Sequence, residues 1–293
     1  MRDRTAKIGV LCGVAAYLSW GLFPIYFKAV KQVDAGEILC HRIVWSAVFL
    51  AVLMALRGRW GDVVAALRDR RVVLTLLGST ILIAINWFTY ILATIHAHVL
   101  QASLGYFINP LVSILLGYVF LGERLRPWQK ASVTLAVAGV LFLTVNYGQV
   151  PSIALILAGS FGFYGLLRKT VRVEAMAGLT VETALLAPLA AGWLVYLAAG
   201  GRLSFGHAPT TVNVLLLLAG VVTSVPLLWF TTAARRLRLS TLGFLQYLAP
   251  TGQFLLGVLA YSEPFTRADA VAFGLIWAGL AIYSVDTLRR KQA

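Results

Sequence analysis

The chain has 293 residues, of which 60% are hydrophobic and 12% charged. A soluble domain carries about 25% charged residues, so this composition excludes a water-facing coat around an ordinary core and makes a membrane protein. Two cysteines, Cys12 and Cys40, both in apolar stretches, exclude a secreted fold stapled by disulfides. A net charge of +14 raises nucleic acid as a partner; the placement of the charges decides against it.

Crossing the hydrocarbon core takes roughly 20 mostly apolar residues in a helix. By that measure ten spans are expected, at about 8–28, 37–56, 72–94, 100–121 and 129–147 in the first half and 152–168, 178–199, 212–234, 240–261 and 268–287 in the second. The first follows Arg2, Arg4 and Lys7, as a signal peptide would, but its apolar run is too long and lacks a cleavage pattern. It is read as a true span. The connections are too short to hold a soluble domain.

With a cytoplasmic N-terminus, the inner segments hold Arg2, Arg4 and Lys7, then Arg57, Arg59, Arg68, Arg70 and Arg71, then Arg124, Arg126 and Lys130. They also hold Arg168, Lys169 and Arg172, then Arg235, Arg236 and Arg238, and finally Arg289, Arg290 and Lys291. Only Lys28, Lys31, Arg202 and Arg267 fall outside, and Arg42 falls within a span. This positive-inside distribution places both termini in the cytoplasm. It reads the basic runs as solvated loop faces, with no nucleic-acid partner.

The halves resemble each other. Ser103-Leu104-Gly105-Tyr106 recurs as Ser240-Thr241-Leu242-Gly243-Phe244, and Pro110, Gly117, Glu123 and Gly139 recur 140 positions on as Pro250, Gly257, Glu263 and Gly279. Tyr17 and Gly21 align with Phe161 and Gly165, and Glu37 with Glu182. Five spans per copy is an odd number, so the second copy is expected upside down. The loops agree: His96-Ala97-His98 outside corresponds to Arg235-Arg236-Leu237-Arg238 inside. The expected fold class is therefore an all-α membrane protein of ten transmembrane helices, in two inverted five-helix repeats over residues 1–148 and 149–293. Inverted repeats allow a site to face either side, which is what alternating access requires.

The stretches Glu37 through Arg42, Ser103 through Pro110, Leu121 through Arg124 and Arg236 through Phe244 resemble the RarD branch of the drug/metabolite transporter superfamily, whose repeat is the EamA domain. The resemblance covers nearly the whole chain. It implies a ten-helix bacterial inner-membrane carrier of small metabolites, with exporters of amino acids, including aromatic ones, among its relatives. The branch name is tied to chloramphenicol sensitivity, a phenotype and not a substrate.

Polar and aromatic side chains at mid-span depth are the candidates for a substrate site, because lipid offers them no partners. They are Tyr17 and Trp20 in span 1, Asn86 and Tyr90 in span 3, Ser103, Tyr106 and Asn109 in span 4, Tyr164 in span 6, Trp229 in span 8, and Gln246 and Tyr247 in span 9. Pro110 and Pro250 are expected to kink their helices and free the carbonyls of Tyr106 and Gln246. The competing reading makes Asn109 and Gln246 hydrogen-bonded glue between helices, and Gly9, Gly13, Gly159, Gly162 and Gly165 packing positions. Trp60, Trp128, Tyr147 and Tyr261, near span ends, read as interfacial belt residues.

Charge inside the spans is sparse. Glu37, His41 and Arg42 open span 2, with Glu37 and His41 stacked at i, i+4. Arg42 sits deep enough to meet a substrate carboxylate or latch an outer gate, but pairing with Glu37 is the favoured expectation. Glu182 is the inner counterpart of Glu37 and an inner-gate candidate. Among the eleven acids none lies at a midplane, so a proton relay gets little support and facilitated movement is favoured. No cofactor, metal site or catalytic group is expected: His96 and His98 are too few for a metal, and no Walker loop is present.

These readings converge on a secondary transporter of small metabolites, amino acids above all, with lipid around it and a monomer sufficient. The rivals are a broad exporter of drug-like solutes, and, more remotely, an intramembrane enzyme or a membrane sensor.

Overall fold

The computed structural model describes residues 2–95, 99–148, 152–256, 259 and 266–289. Among them there is no strand. In chain order the helices are α1 (Arg2–Gly21), α2 (Phe23–Ala29), α3 (Ala35–Leu56), α4 (Trp60–Arg68), α5 (Arg70–Ile95), α6 (Val99–Leu121), α7 (Pro127–Tyr147), α8 (Ser152–Thr170), α9 (Ala175–Ala199), α10 (Thr210–Arg236), α11 (Leu239–Gln246), α12 (Leu248–Leu255) and α13 (Arg267–Arg289). Six stretches are long and apolar enough to cross a membrane: Thr5–Ala29, Ala35–Leu56, Arg70–Tyr90, Pro127–Asn146, Ala175–Ala199 and Thr210–Arg236. The other expected spans fall on α6, α8, α11 with α12, and α13. Of these, α6 and α13 carry shorter apolar cores, Gly105–Leu121 and Ala270–Tyr283.

Local chemistry sets the boundaries. Asp34 caps α3, its Oδ1 accepting from the backbone N–H of Gly36 at 2.9 Å and Glu37 at 3.3 Å. Asp69 does the same for α5 through Arg71 and Val72. At its far end α7 stops on Gly148, whose φ of 66° is the left-handed conformation that a side chain disfavours. The chain breaks between α11 and α12 at Tyr247, three residues before Pro250, where the proline ring leaves no room for the preceding turn. By contrast α6 runs on through Pro110, as α9 does through Pro188 and α10 through Pro226.

The segment read from its arginines as a loop forms α4. Val63 and Ala66 are buried, whereas Trp60, Val64 and Leu67 stay exposed at i, i+4, i+7. Exposed apolar residues flanked by arginines suit a helix lying in the membrane interface.

The helices assemble by close backbone approach. Helix α7 lies against α13, α6 against α8 and α11, α1 against α10 and α12, α5 against α8, and α3 against both α9 and α10. A Cβ on Gly139 would stand 2.9 Å from the Ala272 carbonyl oxygen, and one on Gly279 would stand 2.8 Å from that of Ser132. These are matching contacts, since Gly279 and Ala272 each lie 140 positions beyond Gly139 and Ser132. Gly9, Gly13, Gly162 and Gly165 also meet neighbouring helices. Gly159 does not: nothing lies within 4 Å of its Cβ position, so the expected packing role is corrected there.

At Gly220 the approach is tightest, with an added Cβ 2.2 Å from the backbone carbon and oxygen of Trp45. Ser46 Oγ donates to the Gly220 carbonyl at 3.3 Å across the same contact. Gly220→Ala is expected to force α3 and α10 apart and cost about 1–3 kcal/mol, the usual range for overpacking. Gly159→Ala should leave the melting temperature of the detergent-solubilised chain unchanged or slightly raised. Equal melting temperatures for the two variants would contradict this account.

Candidate functional site

Helices α1, α2, α3, α5, α6, α8, α10, α11 and α12 surround a cavity whose empty volume is about 830 Å³, its mouth included. Aromatic rings make most of its wall. Tyr17 meets Trp20 edge-on at 5.3 Å, Trp20 meets Phe161 at 5.5 Å, and Tyr90 meets Tyr106 at 5.7 Å between ring centroids. Such edge-to-face contacts are worth about 0.5–1.5 kcal/mol each beyond their buried area, which fixes the wall as a rigid surface.

Neutral amides supply the polarity. Asn86 Nδ2 donates to the Leu157 carbonyl at 2.9 Å and to Ser160 Oγ at 3.0 Å, tying α5 to α8. Ser113 Oγ donates to Gln246 Oε1 at 3.1 Å, tying α6 to α11. Gln253 Nε2 donates to the Trp20 carbonyl at 3.1 Å, tying α12 to α1. Asn109 Oδ1 is buried and has no hydrogen-bond partner among the described residues. An unsatisfied buried acceptor costs about 1–3 kcal/mol, and this one lies in the cavity wall.

Among the residues singled out from sequence, Tyr17, Trp20, Asn86, Tyr90, Tyr106, Asn109 and Gln246 line this one cavity. Tyr164 does not. It is fully buried, stacked on Phe230 at 5.9 Å, and donates to Glu182 Oε2 at 3.4 Å. Trp229 is 37% exposed on the outer surface. Tyr247 is buried in a separate apolar cluster with Phe107, Phe244 and Phe273. Ser103 lies on α6, but its side chain is outside the described residues, as are His96, His98 and Glu263 entirely.

The charged candidates separate into three environments. Glu37 is fully buried, and its carboxylate accepts from the backbone N–H of Ser204 at 2.9 Å and Phe205 at 2.8 Å, holding the α9–α10 connection. His41 Nε2 is 3.8 Å from Glu37 Oε1, and its Nδ1 accepts from Trp45 Nε1 at 3.1 Å. Neither lines the cavity. Arg42 does, and its expected pairing with Glu37 is corrected: its Nε donates to Thr223 Oγ1 at 3.0 Å. Five residues along a helix turn the side chain roughly 140° away, since each residue advances about 100°, so the two cannot share a face.

Glu182 lines a smaller hollow of about 260 Å³ that shares Trp87 and Leu227 with the main cavity. Its carboxylate accepts from Ser79 Oγ and lies 3.6 Å from Arg168 Nη1. Arg168, counted from sequence among the solvated loop charges, is instead fully buried and donates from Nη2 to the Ala175 carbonyl at 3.0 Å. Gly178 makes that burial possible, because a Cβ there would stand 2.2 Å from the guanidinium.

Several wall residues escaped the sequence reading. Phe23 and Phe27 sit on α2, at the end of the first span, where position alone suggests an interfacial role. Phe161, Thr223 and Gln253 had no feature of spacing to mark them. The available signal was the repeat: Phe161 aligns with Tyr17.

The profile of the EamA-like transporter family matches residues 7–145. An uncharacterized transporter of Vibrio cholerae is 50% identical over 99% of this chain and 96% of its own length. Protein RarD of Escherichia coli is 47% identical over 98% of this chain and 97% of its own. An uncharacterized transporter of Bacillus subtilis is 42% identical over 100% and 99%. One crystal structure, 23% identical in sequence, superposes with a TM-score of 0.71 over 94% of this chain and 97% of that one, which is a likeness of fold. Transporter-named relatives of this similarity make the chain a transporter rather than an enzyme, embedded in the membrane by several crossings. It belongs to the RarD-type members of the EamA-like transporter family, in the drug/metabolite transporter superfamily.

Proposed function

We propose that this chain is an alternating-access carrier for small, partly apolar metabolites, with amino acids bearing aromatic or hydrophobic side chains as the favoured cargo. The supporting observation is the cavity: rings on several sides, neutral amides among them, and two buried polar atoms, Asn109 Oδ1 and the Tyr17 hydroxyl, without a hydrogen-bond partner among the described residues. In this reading the apolar part of the solute lies on Tyr17, Trp20, Tyr90 and Tyr106, and its polar head meets Asn109 and Gln246. No Asp or Glu lines the cavity among the described residues, which favours facilitated movement over proton coupling. This reading takes the carrier as a monomer.

The same reading takes the two halves, 1–148 and 149–293, as inverted five-helix repeats and counts ten crossings, with both termini in the cytoplasm of a bacterial inner membrane. Its support is the matched pair of contacts at Gly139 and Gly279, and a pairing of helices that keeps its form when the halves are exchanged: α1 on α10 answers α8 on α5, and α6 on α8 answers α12 on α1. Under that topology Phe23, Phe27 and Arg42 lie towards the outside. Glu182, Arg168 and the ring cluster of Tyr164 and Phe230 close the inner side. Glu182 is then an inner latch, while Glu37 holds an outer connection through backbone amides.

Purified protein in liposomes is expected to move labelled phenylalanine, leucine and related amino acids, with or without a pH gradient. Trp20→Ala should raise the half-saturating concentration up to about tenfold, the equivalent of one aromatic contact. Competition by structurally unrelated drug-like compounds, with no amino acid moved, would favour the broad exporter instead.

The latch carries its own prediction. Glu182→Gln leaves Arg168 buried without its counter-charge, and breaking a buried pair from one side costs about 3–5 kcal/mol. Stability and flux should therefore fall together. Replacing both partners, Arg168→Leu with Glu182→Leu, should recover most of the melting temperature but not flux. Recovery of both would remove Glu182 and Arg168 from the transport cycle.

A further inference from the structure

We propose that the cavity is a carboxylate receptor in which Arg42 binds the anionic head of the solute, and that an ammonium group on the solute is dispensable. The inference deepens the carrier reading and rests on it for the purpose of the cavity, though its test needs no flux.

Arg42, two turns into α3, is 5% exposed and forms part of the cavity wall. An ionised side chain in the low-dielectric interior of a membrane protein is expensive unless something compensates it. Among the described residues no carboxylate lies within 4 Å of its guanidinium. The nearby acids are committed elsewhere: Glu37 to the amides of Ser204 and Phe205, and Glu182 to Arg168, Ser79 and Tyr164. What surrounds Arg42 is neutral. The guanidinium carbon lies 4.9 Å from the ring centre of Trp87, 5.6 Å from Phe27 and 6.0 Å from Phe23, and Thr223 accepts from Nε.

This arrangement holds a cation in place without neutralising it. Ring faces attract the charge, and the Thr223 hydroxyl fixes the plane of the guanidinium. The Nη side of a guanidinium so fixed has the fork geometry that matches a carboxylate with two parallel hydrogen bonds. Snorkelling to lipid headgroups, the other use of an in-span arginine, does not apply to a side chain buried among Phe23, Phe27 and Trp87. The polarity of the cavity also settles which end of an amino acid is read. Its wall has a cation for the carboxylate and, among the described residues, no anion for the ammonium group, which meets only neutral acceptors such as Asn109 Oδ1, so a positively charged solute lacking a carboxylate meets repulsion from Arg42 that no wall carboxylate offsets.

The test uses four ligands on one skeleton: 3-phenylpropionate, phenylalanine, phenethylamine and 3-phenylpropanamide, titrated against the full-length chain in lipid nanodiscs. Trp20 and Trp87 line the cavity, so quenching of tryptophan fluorescence reports occupancy, with the melting temperature as a second readout. Binding of 3-phenylpropionate and phenylalanine, and none by the amine or the neutral amide, is expected. Arg42→Gln should weaken 3-phenylpropionate about 10- to 100-fold, the scale of a charge-assisted pair, while Arg42→Lys retains part of the affinity. The series on the unaltered chain decides the matter even where R42Q does not fold. Equal binding of phenethylamine and 3-phenylpropionate, binding by none of the four, or unweakened binding by folded R42Q would each overturn the proposal. Carboxylate binding without flux in liposomes would keep this inference and sink the carrier reading; flux of solutes regardless of a carboxylate would do the reverse.

Discussion

Hydrocarbon offers a peptide group nothing to bond with, and that constraint arranges the rest of this chain. Each crossing segment must close its own backbone hydrogen bonds, and every regular element among the described residues is a helix. Helices closed in this way present only side chains to one another, and since lipid tails are as apolar as leucine, their association rests on how closely the backbones approach. Gly220 against Trp45, and Gly139 and Gly279 across α7 and α13, provide that approach. Leu56, Val145 and Leu189, each more than half exposed, face outward, where lipid replaces water.

The same constraint governs where polar atoms go. Asn86, Gln246 and Gln253 each spend one end of the amide joining two helices while belonging to the cavity wall. The opposition between helix glue and substrate contact is therefore a false one for these residues: an amide has two ends, and the structure uses one of them for packing. Asn109 differs, because its Oδ1 is left over. Acids are treated in yet another way. Glu123, for example, sits on the N-terminus of α11, accepting from the N–H groups of Leu239 at 2.6 Å and Ser240 at 2.9 Å, where the helix dipole favours a negative charge.

Much of the fold was legible in the amino-acid sequence because it depends on averages over many residues. Hydropathy locates the helices, and charge asymmetry and the 140-residue offset suggest how they are arranged. The candidate cavity was legible in outline, since polar and aromatic residues at depth are few, and seven of those chosen from sequence share it. What failed was anything that turned on which face of a helix a residue occupies. Tyr17 lines the cavity while Tyr247 is sealed in an apolar cluster, and no spacing distinguishes them, because a helix buried on several sides has no polar face to set the phase. Arg168 was assigned to a loop from its neighbours Lys169 and Arg172, yet the missing side chain at Gly178, a residue ten positions on, makes room to bury it. Long-range coincidences of that kind leave no local pattern.

The two buried arginines show how one residue type serves opposite ends. Arg168 has its acid 3.6 Å away and a backbone carbonyl besides; its charge is consumed in joining α8 to α9, and an arriving anion would have to displace Glu182. Arg42 has rings and one hydroxyl. A cation over an aromatic face gains about 0.5–2 kcal/mol, enough to make an empty cavity tolerable but less than a buried carboxylate would supply. A carrier needs that middle ground. With an acid opposite Arg42, the empty cavity would satisfy itself and the solute would have to break an internal ion pair to bind. With no compensation at all, the cation would hold its first anion too tightly to release it. In the proposed role, neutral rings keep the charge available at a strength that a single carboxylate can match and then leave, which is the balance that passage through a binding site demands.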